Sequence, residues 1–378
     1  MKHRFHLIGL PHTATSAEYN ACAYTQKVRK FAKMMQGHEC IHYGNEGSDI
    51  LCEHVQIFNE VERQGYFGVH DPEKLYHLEW SLSAPYWQAF NKRLLVELKR
   101  RVEPGDFILV IAGGDCHKPL FDTFHHGPYQ NMVVEYGVGY YGIYSPYCAF
   151  ESSAHANFVL GKRNEEFENI KYAVIPNYFD LDEFALDYAT TIEDYFLFVG
   201  RIVDSKGWRV AVEVTSDLNK RLIIAGQGGQ NIDFPSHVEY VGFADINKRA
   251  RLMSGAIATF VPTHYREPFG GVAVESQLCG TPAITSDHGA FVETVKREFR
   301  CATHKEFVEA ARLAEKLSPH QRCKISDRAT IKYSLDAVKP LFERYFDRLY
   351  SLFGGGWYED DLERVRYTLR TIAFRPTK

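Results

Sequence analysis

Short apolar runs alternate with segments of helical periodicity along almost the whole chain. The apolar runs, which are typical of buried strands, lie at residues 5–10, 107–112, 132–135, 172–175, 195–199, 221–225, 238–241, 256–261 and 281–285. Apolar residues with helical spacing lie at 17–35, 84–101, 145–160, 207–218, 245–253, 271–279, 290–296, 305–317 and 325–353. Strands and helices that alternate at this interval indicate βαβ units and parallel sheets. We therefore predict an α/β protein.

The segment 180–194 interrupts this alternation, because it is polar, acidic and without clear periodicity, as a linker is. A chain of 378 residues is long enough for two domains. We predict Rossmann-like, doubly wound domains over residues 1–185 and 186–345. We expect helices over 346–378, including one at 359–371 after three glycines, to return to the first domain. Ligands would bind at the carboxyl ends of the strands, in the cleft between the domains.

Composition narrows the range of partners and compartments. No apolar stretch approaches the roughly 20 residues of a membrane-spanning helix, and the run at 5–10 is too short for a signal-peptide core. The eight cysteines are scattered singly without a CxxC pair, so we expect a reducing, cytoplasmic environment. The net charge of −4 makes nucleic acid a less favoured partner, despite several arginines near residue 370.

Two glutamates eight positions apart flank the turn between the strand at 256–261 and the helix at 271–279. Pro268 keeps Glu267 out of helical geometry, so this carboxylate should lie on the loop. Gly270 and Gly271 open the helix, which leaves backbone N–H groups free at its positive end, with Glu275 about one turn further on. Carboxylates bind paired hydroxyls and helix N-termini bind phosphate. An ordinary loop with a capping acid fits the same spacing equally well.

Two further strand ends carry candidate phosphate-binding loops. Arg201 and Lys206 lie between Gly200 and Gly207, so both side chains can reach a common point above the strand. An opposite charge at ~4 Å contributes about 4 kcal/mol at an effective dielectric near 20, which suits a diphosphate. A solvated surface loop is the alternative. Gly226, in the loop that ends the next strand, gives only a weak glycine-rich signal.

The order of these segments is more specific than any one of them. The chain reads GR…KGW, IIAGQG, EPFGGVAVE, CGTPA and DHGA in succession. This order resembles the C-terminal half of the retaining glycosyltransferases of family 4. That family has the GT-B fold, in which two Rossmann-like doubly wound domains face a central cleft. The resemblance covers about residues 172–300, including the segment VIPN at 174–177.

The resemblance implies a role for each segment of a donor site. Arg201 and Lys206 would hold the donor diphosphate, Glu267 would bond hydroxyls of the transferred sugar, and Glu275 would bind the ribose. Backbone amides of the loop and helix start would touch sugar and phosphate; these belong to Phe269, Gly270, Gly271 and Val272. Gly200 and Gly226 would line the donor site.

The N-terminal half matches the family poorly. The loop after the first strand has one glycine, Gly9, where such enzymes have a glycine-rich loop near the donor. Where they often have a histidine that touches the donor sugar, this chain offers Glu135 or Tyr136 as a stand-in. His117, at the end of the preceding strand, is a second catalytic candidate, although a lone histidine is more often structural. This half would bind the acceptor.

The resemblance implies transfer of a hexosyl or pentosyl group from a UDP-, GDP- or ADP-linked sugar, with retention of anomeric configuration. The acceptor would be a hydroxyl of a glycan, lipid or small molecule. We expect no cofactor and no metal, because Arg201 and Lys206 can neutralise the leaving group and no Asp-x-Asp motif ends an N-terminal strand. The alternatives are a nucleotide-sugar epimerase or a glycoside phosphorylase of the same fold, and a catalytically silent sugar-nucleotide-binding protein.

One basic helix remains outside this scheme. The segment 17–35 carries Lys27, Arg29, Lys30 and Lys33 close together. Such a helix can lie against an anionic membrane surface, so peripheral membrane contact is one hypothesis. A solvated helix face is the favoured one, because charge runs are usually exposed.

Overall fold

A computed structural model describes residues 2–74, 78–125, 131–184 and 192–353. It contains two parallel sheets, and the first has seven strands in the order β3-β2-β1-β4-β5-β6-β7. These strands are β1 (Arg4–Ile8), β2 (Glu39–Gly44), β3 (Glu53–Gln56), β4 (Phe107–Val110), β5 (Met132–Val138), β6 (Cys148–Phe150) and β7 (Tyr172–Val174). Helices that accompany this sheet are α1 (Ala23–Met34), α2 (Glu60–Phe67), α3 (Pro85–Arg101), α4 (Lys118–Phe124) and α5 (Ser153–Arg163).

The second sheet has six strands in the order β10-β9-β8-β11-β12-β13. They are β8 (Tyr195–Val199), β9 (Arg221–Ala225), β10 (Val238–Tyr240), β11 (Thr259–Val261), β12 (Ala283–Ser286) and β13 (Arg300–Cys301). The remaining helices are α6 (Trp208–Asp217), α7 (Ile246–Gly255), α8 (Gly271–Leu278), α9 (Phe291–Thr294), α10 (His304–Glu315), α11 (Pro319–Tyr333) and α12 (Leu335–Phe353). The strand order reverses between β8 and β11. Ligands bind at such a reversal, beyond the carboxyl ends of the strands.

The last described helix packs on the first sheet. The Phe346 ring of α12 packs against the Phe5 ring of β1 with centroids 4.7 Å apart, and the Phe342 ring lies 5.3 Å from the Phe31 ring. The chain returns from the C-terminal to the N-terminal domain at Ser334. This residue is extended and pairs with Phe179, which lies where the chain first passes from the N-terminal to the C-terminal domain. The crossing therefore comes before the boundary that we placed at 345. The other boundary, at 185, and the helix predicted at 359–371 lie outside the described residues.

Three predicted helices differ from the structure. The segment 17–35 is a short 3₁₀ turn followed by α1. The segment 145–160 is divided into β6 and α5, because the Ser152 side chain caps the start of α5 by accepting from the His155 N–H. The segment 325–353 is two helices, since the extended Ser334 separates α11 from α12. The predictions omitted β2 and β3. Polar residues hide the strand pattern there: the buried His42 ring of β2 bonds the Thr15 hydroxyl and the half-buried His54 ring of β3.

No helix within the described residues is long and apolar enough to cross a membrane.

Candidate functional site

A cavity of about 350 Å³ lies at the carboxyl ends of β8, β9 and β11, between the two sheets. Its C-terminal wall contains most of the residues that we predicted for the donor site. These are Gly200, Arg201, Lys206, Gly226, Glu267, Gly270, Gly271, Val272 and Glu275. Its opposite wall is the exposed end and one face of α1, together with residues 177–179. The structure thus brings together loops that the sequence placed on separate strand ends.

Lys206 and Glu267 lie close together in this wall, and Tyr265 contacts the lysine. The Lys206 Nζ lies 3.5 Å from the Glu267 Oε2 and donates to the Tyr265 hydroxyl. Burial, with the neighbouring Glu267 carboxylate, raises the pKa of Tyr265 far above its usual value, so the phenol stays protonated. Tyr265 therefore helps to fix the ammonium beside the carboxylate. The sequence signal for it was its place two residues before Glu267, on the same loop.

The backbone of Glu267 is held by the loop before α9. The Ala290 N–H donates to the Glu267 carbonyl at 2.9 Å, and Gly289 has a φ of +63°. A Cβ at Gly289 would lie 2.8 Å from the Glu267 nitrogen, so this close approach requires glycine. The carboxylate is consequently presented from a fixed backbone.

The N-terminal domain also contacts this loop. The Ser152 hydroxyl donates to the Pro268 carbonyl at 2.6 Å. Next to it, the Glu293 carboxylate accepts from the first backbone N–H groups of α5, those of Ser153 and Ala154, at 3.0 and 2.8 Å. A carboxylate is favourable at a helix N-terminus. The two domains are therefore joined beside the predicted sugar-binding glutamate.

Helix α8 directs its N-terminus into the cavity. Gly270 precedes it in the left-handed conformation with a φ of +82°, and its neighbours Gly271 and Val272 line the cavity. The first N–H groups of a helix have no intrahelical partner and attract anions. The side chain of Phe269 does not line the cavity, because it is buried against the ring of Tyr333, with centroids 5.5 Å apart.

Glu275 lines the cavity as predicted but already has a cationic partner. The Arg249 Nε lies 2.9 Å from the Glu275 Oε2, and each side chain is 13% exposed. Arg249 belongs to α7 and lines the cavity too. The sequence analysis missed Arg249, since a lone arginine in a polar helix gives no signal. The pair leaves Glu275 less free to bond a ribose than an isolated carboxylate.

The three N-terminal site predictions fall outside the cavity. Gly9 donates its N–H to the Tyr43 carbonyl within the first sheet. His117 is buried beside Trp87 and bonds Asn91 at 2.7 Å, and burial lowers its pKa to about 3, so the ring is neutral. Its side chain does not line the cavity.

Glu135 is likewise a core residue. Its carboxyl group accepts from the Tyr140 hydroxyl and from the N–H groups of Tyr144 and Ser145, at 2.7 to 2.8 Å. Burial raises its pKa to about 7. The geometry therefore does not support the predicted catalytic roles of Glu135 and His117, because Glu135 lies within β5, His117 precedes α4, and both side chains are buried in the first domain.

Two cations of the basic face of α1 are buried within the protein. The ammonium of Lys27 contacts Glu151, and that of Lys30 lies 2.6 Å from Glu183; all four side chains are at least nine-tenths buried. Lys33 pairs with Asp180 of the crossing segment at 2.6 Å. The prediction of a solvated face is wrong for Lys27 and Lys30, which are buried beside carboxylates, whereas the side chains of Arg29 and Lys33 are 27% and 36% exposed. Contact of this helix with a membrane surface stays a prediction.

Within the described parts of the chain, no group of three or more histidine, cysteine, aspartate or glutamate side chains is arranged to hold a metal ion.

Residues 189–335 match the family model of glycosyl transferases group 1. Over 119 residues the chain is 30% identical to an uncharacterized glycosyltransferase, MJ1607, of Methanocaldococcus jannaschii. This match covers 28% of the chain and 30% of that protein, so the chain spans less than a third of the relative's length. The predicted resemblance to group 1 glycosyltransferases is confirmed.

Solved structures share the fold over nearly the whole chain. A sucrose-phosphate synthase of Thermosynechococcus elongatus superposes with a TM-score of 0.65 and 16% identity, over 93% of this chain and 100% of that one. HepE of Anabaena, in complex with UDP and glucose, gives 0.62 and 12%, over 92% and 100%. The predicted GT-B fold is therefore confirmed.

Proposed function

We propose that this GT-B protein, whose residues 189–335 match the family model of glycosyl transferases group 1, moves a sugar from a nucleoside-diphosphate sugar to a hydroxyl acceptor. One observation carries the proposal. Arg201, Lys206, Glu267 and the start of α8 surround a single cavity at the reversal of strand order in the second sheet. A UDP-bound structure of HepE, with the same fold, supports a nucleotide as the donor's leaving part.

Each group has a task that its chemistry suits. Arg201, Lys206 and the N–H groups at the start of α8 neutralise the charge that the diphosphate gains as it departs. Glu267 accepts hydrogen bonds from hydroxyls of the sugar, and Tyr265 holds Lys206 beside it. Glu275 lies one helical turn further along α8 and contacts the nucleoside together with Arg249 of α7. No bound metal has a part in these steps.

A donor screen tests the proposal directly. Thermal unfolding is measured with UDP, GDP, ADP and their sugars, because a ligand at 100 times its Kd stabilises by about 2.7 kcal/mol. One nucleotide series should raise the Tm of the wild type and not that of the Arg201→Ala variant. Product analysis then separates the alternatives: a new glycoside supports transfer, an isomerised donor indicates an epimerase, and binding without turnover indicates a silent protein. The absence of any shift would refute the proposal.

We expect the transfer to retain the anomeric configuration. The acceptor oxygen attacks from the face that the diphosphate leaves: the bond from C1 to the phosphate oxygen breaks, the bond from C1 to the acceptor oxygen forms, and the acceptor proton passes to the diphosphate. This route needs no dedicated general base on the opposite face. The coupling constant of the product's anomeric proton, measured by NMR, reports the outcome. Inversion would contradict the assignment to a retaining mechanism.

Activity should survive chelation. The cations of the leaving-group site are side chains, so removing divalent metal ions with excess EDTA should leave the initial rate within a factor of about two. The rate is compared before and after dialysis against EDTA and after Mg²⁺ is restored. Complete loss that Mg²⁺ reverses would show a metal-dependent reaction.

We also propose that the protein acts in a reducing compartment such as the cytoplasm. All eight cysteines are free thiols in the structure, which supports this location.

A further inference from the structure

A surface cluster of aromatic rings and cations bridges the two domains beside the loop that carries Glu267. The Phe158 ring of α5 packs against the Tyr141 ring, with centroids 5.4 Å apart. The Lys162 ammonium, one turn further along α5, lies 4.6 Å from the Phe158 centroid and 5.2 Å from that of Tyr141. The Arg266 guanidinium, from the other domain, lies 4.9 Å from the Phe158 centroid. We call Tyr141, Phe158, Lys162 and Arg266 the rim cluster.

The rim cluster lies at the edge that the carboxyl ends of the first sheet's strands form. Tyr141 follows β5 and α5 follows β6, and these two strands are parallel neighbours. Ligands of doubly wound domains bind beyond this edge. None of the four residues lines the cavity that contains Arg201, Glu267 and the start of α8. A molecule on the rim cluster therefore lies outside the cavity, next to the Glu267 loop.

The two cations of the rim cluster have no anionic partner. Among the residues that the structure describes, neither Lys162 nor Arg266 is paired with a carboxylate. The Glu267 carboxylate, next to Arg266 in the chain, pairs with Lys206. The Glu293 carboxylate accepts from backbone N–H groups at the start of α5. Two like charges from different domains thus lie over one ring, and an anion between them relieves their repulsion.

The rings hold these cations in place at the surface. A cation within about 6 Å of an aromatic centroid is attracted to the ring face, so both side chains lose part of their freedom before a ligand arrives. Lys162 and Arg266 are exposed, and Tyr141 is 53% exposed. Exposed tyrosine and arginine side chains that lie together are typical of binding surfaces. The rim cluster is therefore a preorganised cationic surface that solvent molecules and ligands can reach.

We propose that the rim cluster binds an anionic group of the acceptor, a phosphate or a carboxylate, between Lys162 and Arg266. This inference rests on the proposed function and adds the chemical class of the acceptor. Guanidinium and ammonium groups form charge-assisted hydrogen bonds with phosphates and carboxylates, and the planar guanidinium matches two of their oxygens at once. An anionic acceptor is consequently favoured over its neutral counterpart.

The acceptor is the molecule that must extend past Glu267. Its attacking hydroxyl reaches the sugar that Glu267 holds, whereas the donor's nucleoside lies further along α8, beside Glu275. The rest of the acceptor then extends out of the cavity over the residues next to the Glu267 loop. Arg266 directly precedes Glu267, so its guanidinium meets the acceptor there.

The test compares matched neutral and anionic compounds on the full-length protein. The two series are glucose, glucose 6-phosphate and glucuronate, and glycerol, glycerol 3-phosphate and glycerate. Release of nucleoside diphosphate is measured from the nucleotide sugar that the donor screen selects, because a compound beside Glu267 raises release as an acceptor or lowers it by excluding water. Anionic members should act at concentrations at least about tenfold lower than the neutral ones. Inorganic phosphate is the control for a free ion and should act more weakly than the sugar phosphates.

Variants assign the preference to the rim cluster. Lys162→Gln and Arg266→Gln should each reduce the preference for anionic members by about tenfold, and the double variant should abolish it. Arg209→Gln is the matched control, because Arg209 is also an exposed cation over a ring, 4.2 Å from the Trp208 centroid, but is paired with Asp204. Its preference should equal that of the wild type.

The nucleotide-induced rise in Tm is measured on the same variants, because it distinguishes the acceptor from the donor. Loss of this rise in both single variants would assign the rim cluster to the donor and overturn the inference. It is also overturned if neutral members act as strongly as anionic ones on the wild type, if no anionic member changes release, or if inorganic phosphate matches the sugar phosphates. Failure of the proposed function has a different signature, since no nucleotide would then stabilise the wild type.

Discussion

Replacing Arg201 or Lys206 with alanine is expected to lower turnover of the nucleotide sugar by at least a hundredfold, with the fold intact. The diphosphate gains negative charge as its bond to the sugar breaks, and removing one fixed donor from such a site typically costs about 10²–10³ in rate. Arg201 is exposed, and Lys206 lies on the same short turn, so neither truncation disturbs a core. The measurement is kcat/KM for the donor, which reports transition-state stabilisation.

The two variants should differ in their effect on the position of the Glu267 carboxylate. Lys206 also positions Glu267 through Tyr265, so its loss frees the carboxylate, whereas loss of Arg201 removes only charge. Arg209→Ala is the control: it is a nearby exposed cation, paired with Asp204 and stacked on Trp208, and it does not line the cavity. Its turnover should stay within about twofold of the wild type, as expected of an exposed ion pair. Near-wild-type turnover in the Arg201 or Lys206 variant would refute the leaving-group assignment.

Replacing Gly226 with alanine should abolish nucleotide binding and destabilise the C-terminal domain by more than about 2 kcal/mol. Gly226 has a φ of +148°, and a Cβ there would lie 1.8 Å from the Gly200 carbonyl oxygen. Backbone atoms cannot yield as a flexible side chain can, so the loops after β8 and β9 must separate. The same loops present Gly200 and Arg201 to the cavity, which links the loss of stability to the loss of binding. Thermal unfolding and calorimetric titration of the nucleotide measure the two effects.

A second glycine provides a control of opposite sign. Gly161 lies inside α5 without a positive φ, and nothing approaches its Cβ position within 4 Å. Alanine there should stabilise by about 0.5–1 kcal/mol, because glycine in a helix interior loses more chain entropy. Equal stability of the Gly226 and Gly161 variants would contradict the close approach of the two loops.

The sequence determined the proposed donor side of this protein. Each loop of that side is local: a strand ends, a glycine or proline turns the chain, and a helix or cation follows within a few residues, as at Glu267 and Gly270. Parallel strands carry all such loops to one edge of the sheet, so their meeting follows from the alternation of strands and helices. The segments 200–206 and 267–275 needed no knowledge of distant contacts to be identified.

Only the tertiary structure determined the opposite wall. Lys27 of that wall and Glu151, which follows β6, are far apart in the sequence, and the packing of α1 within the first domain brings them together. Tertiary packing also buries Lys27 and Lys30 of the basic helix and encloses Glu135 and His117 in the core. A polar residue in an amphipathic segment can face solvent, a cavity or a buried partner with the same local pattern. The choice depends on what packs against it, which periodicity does not encode.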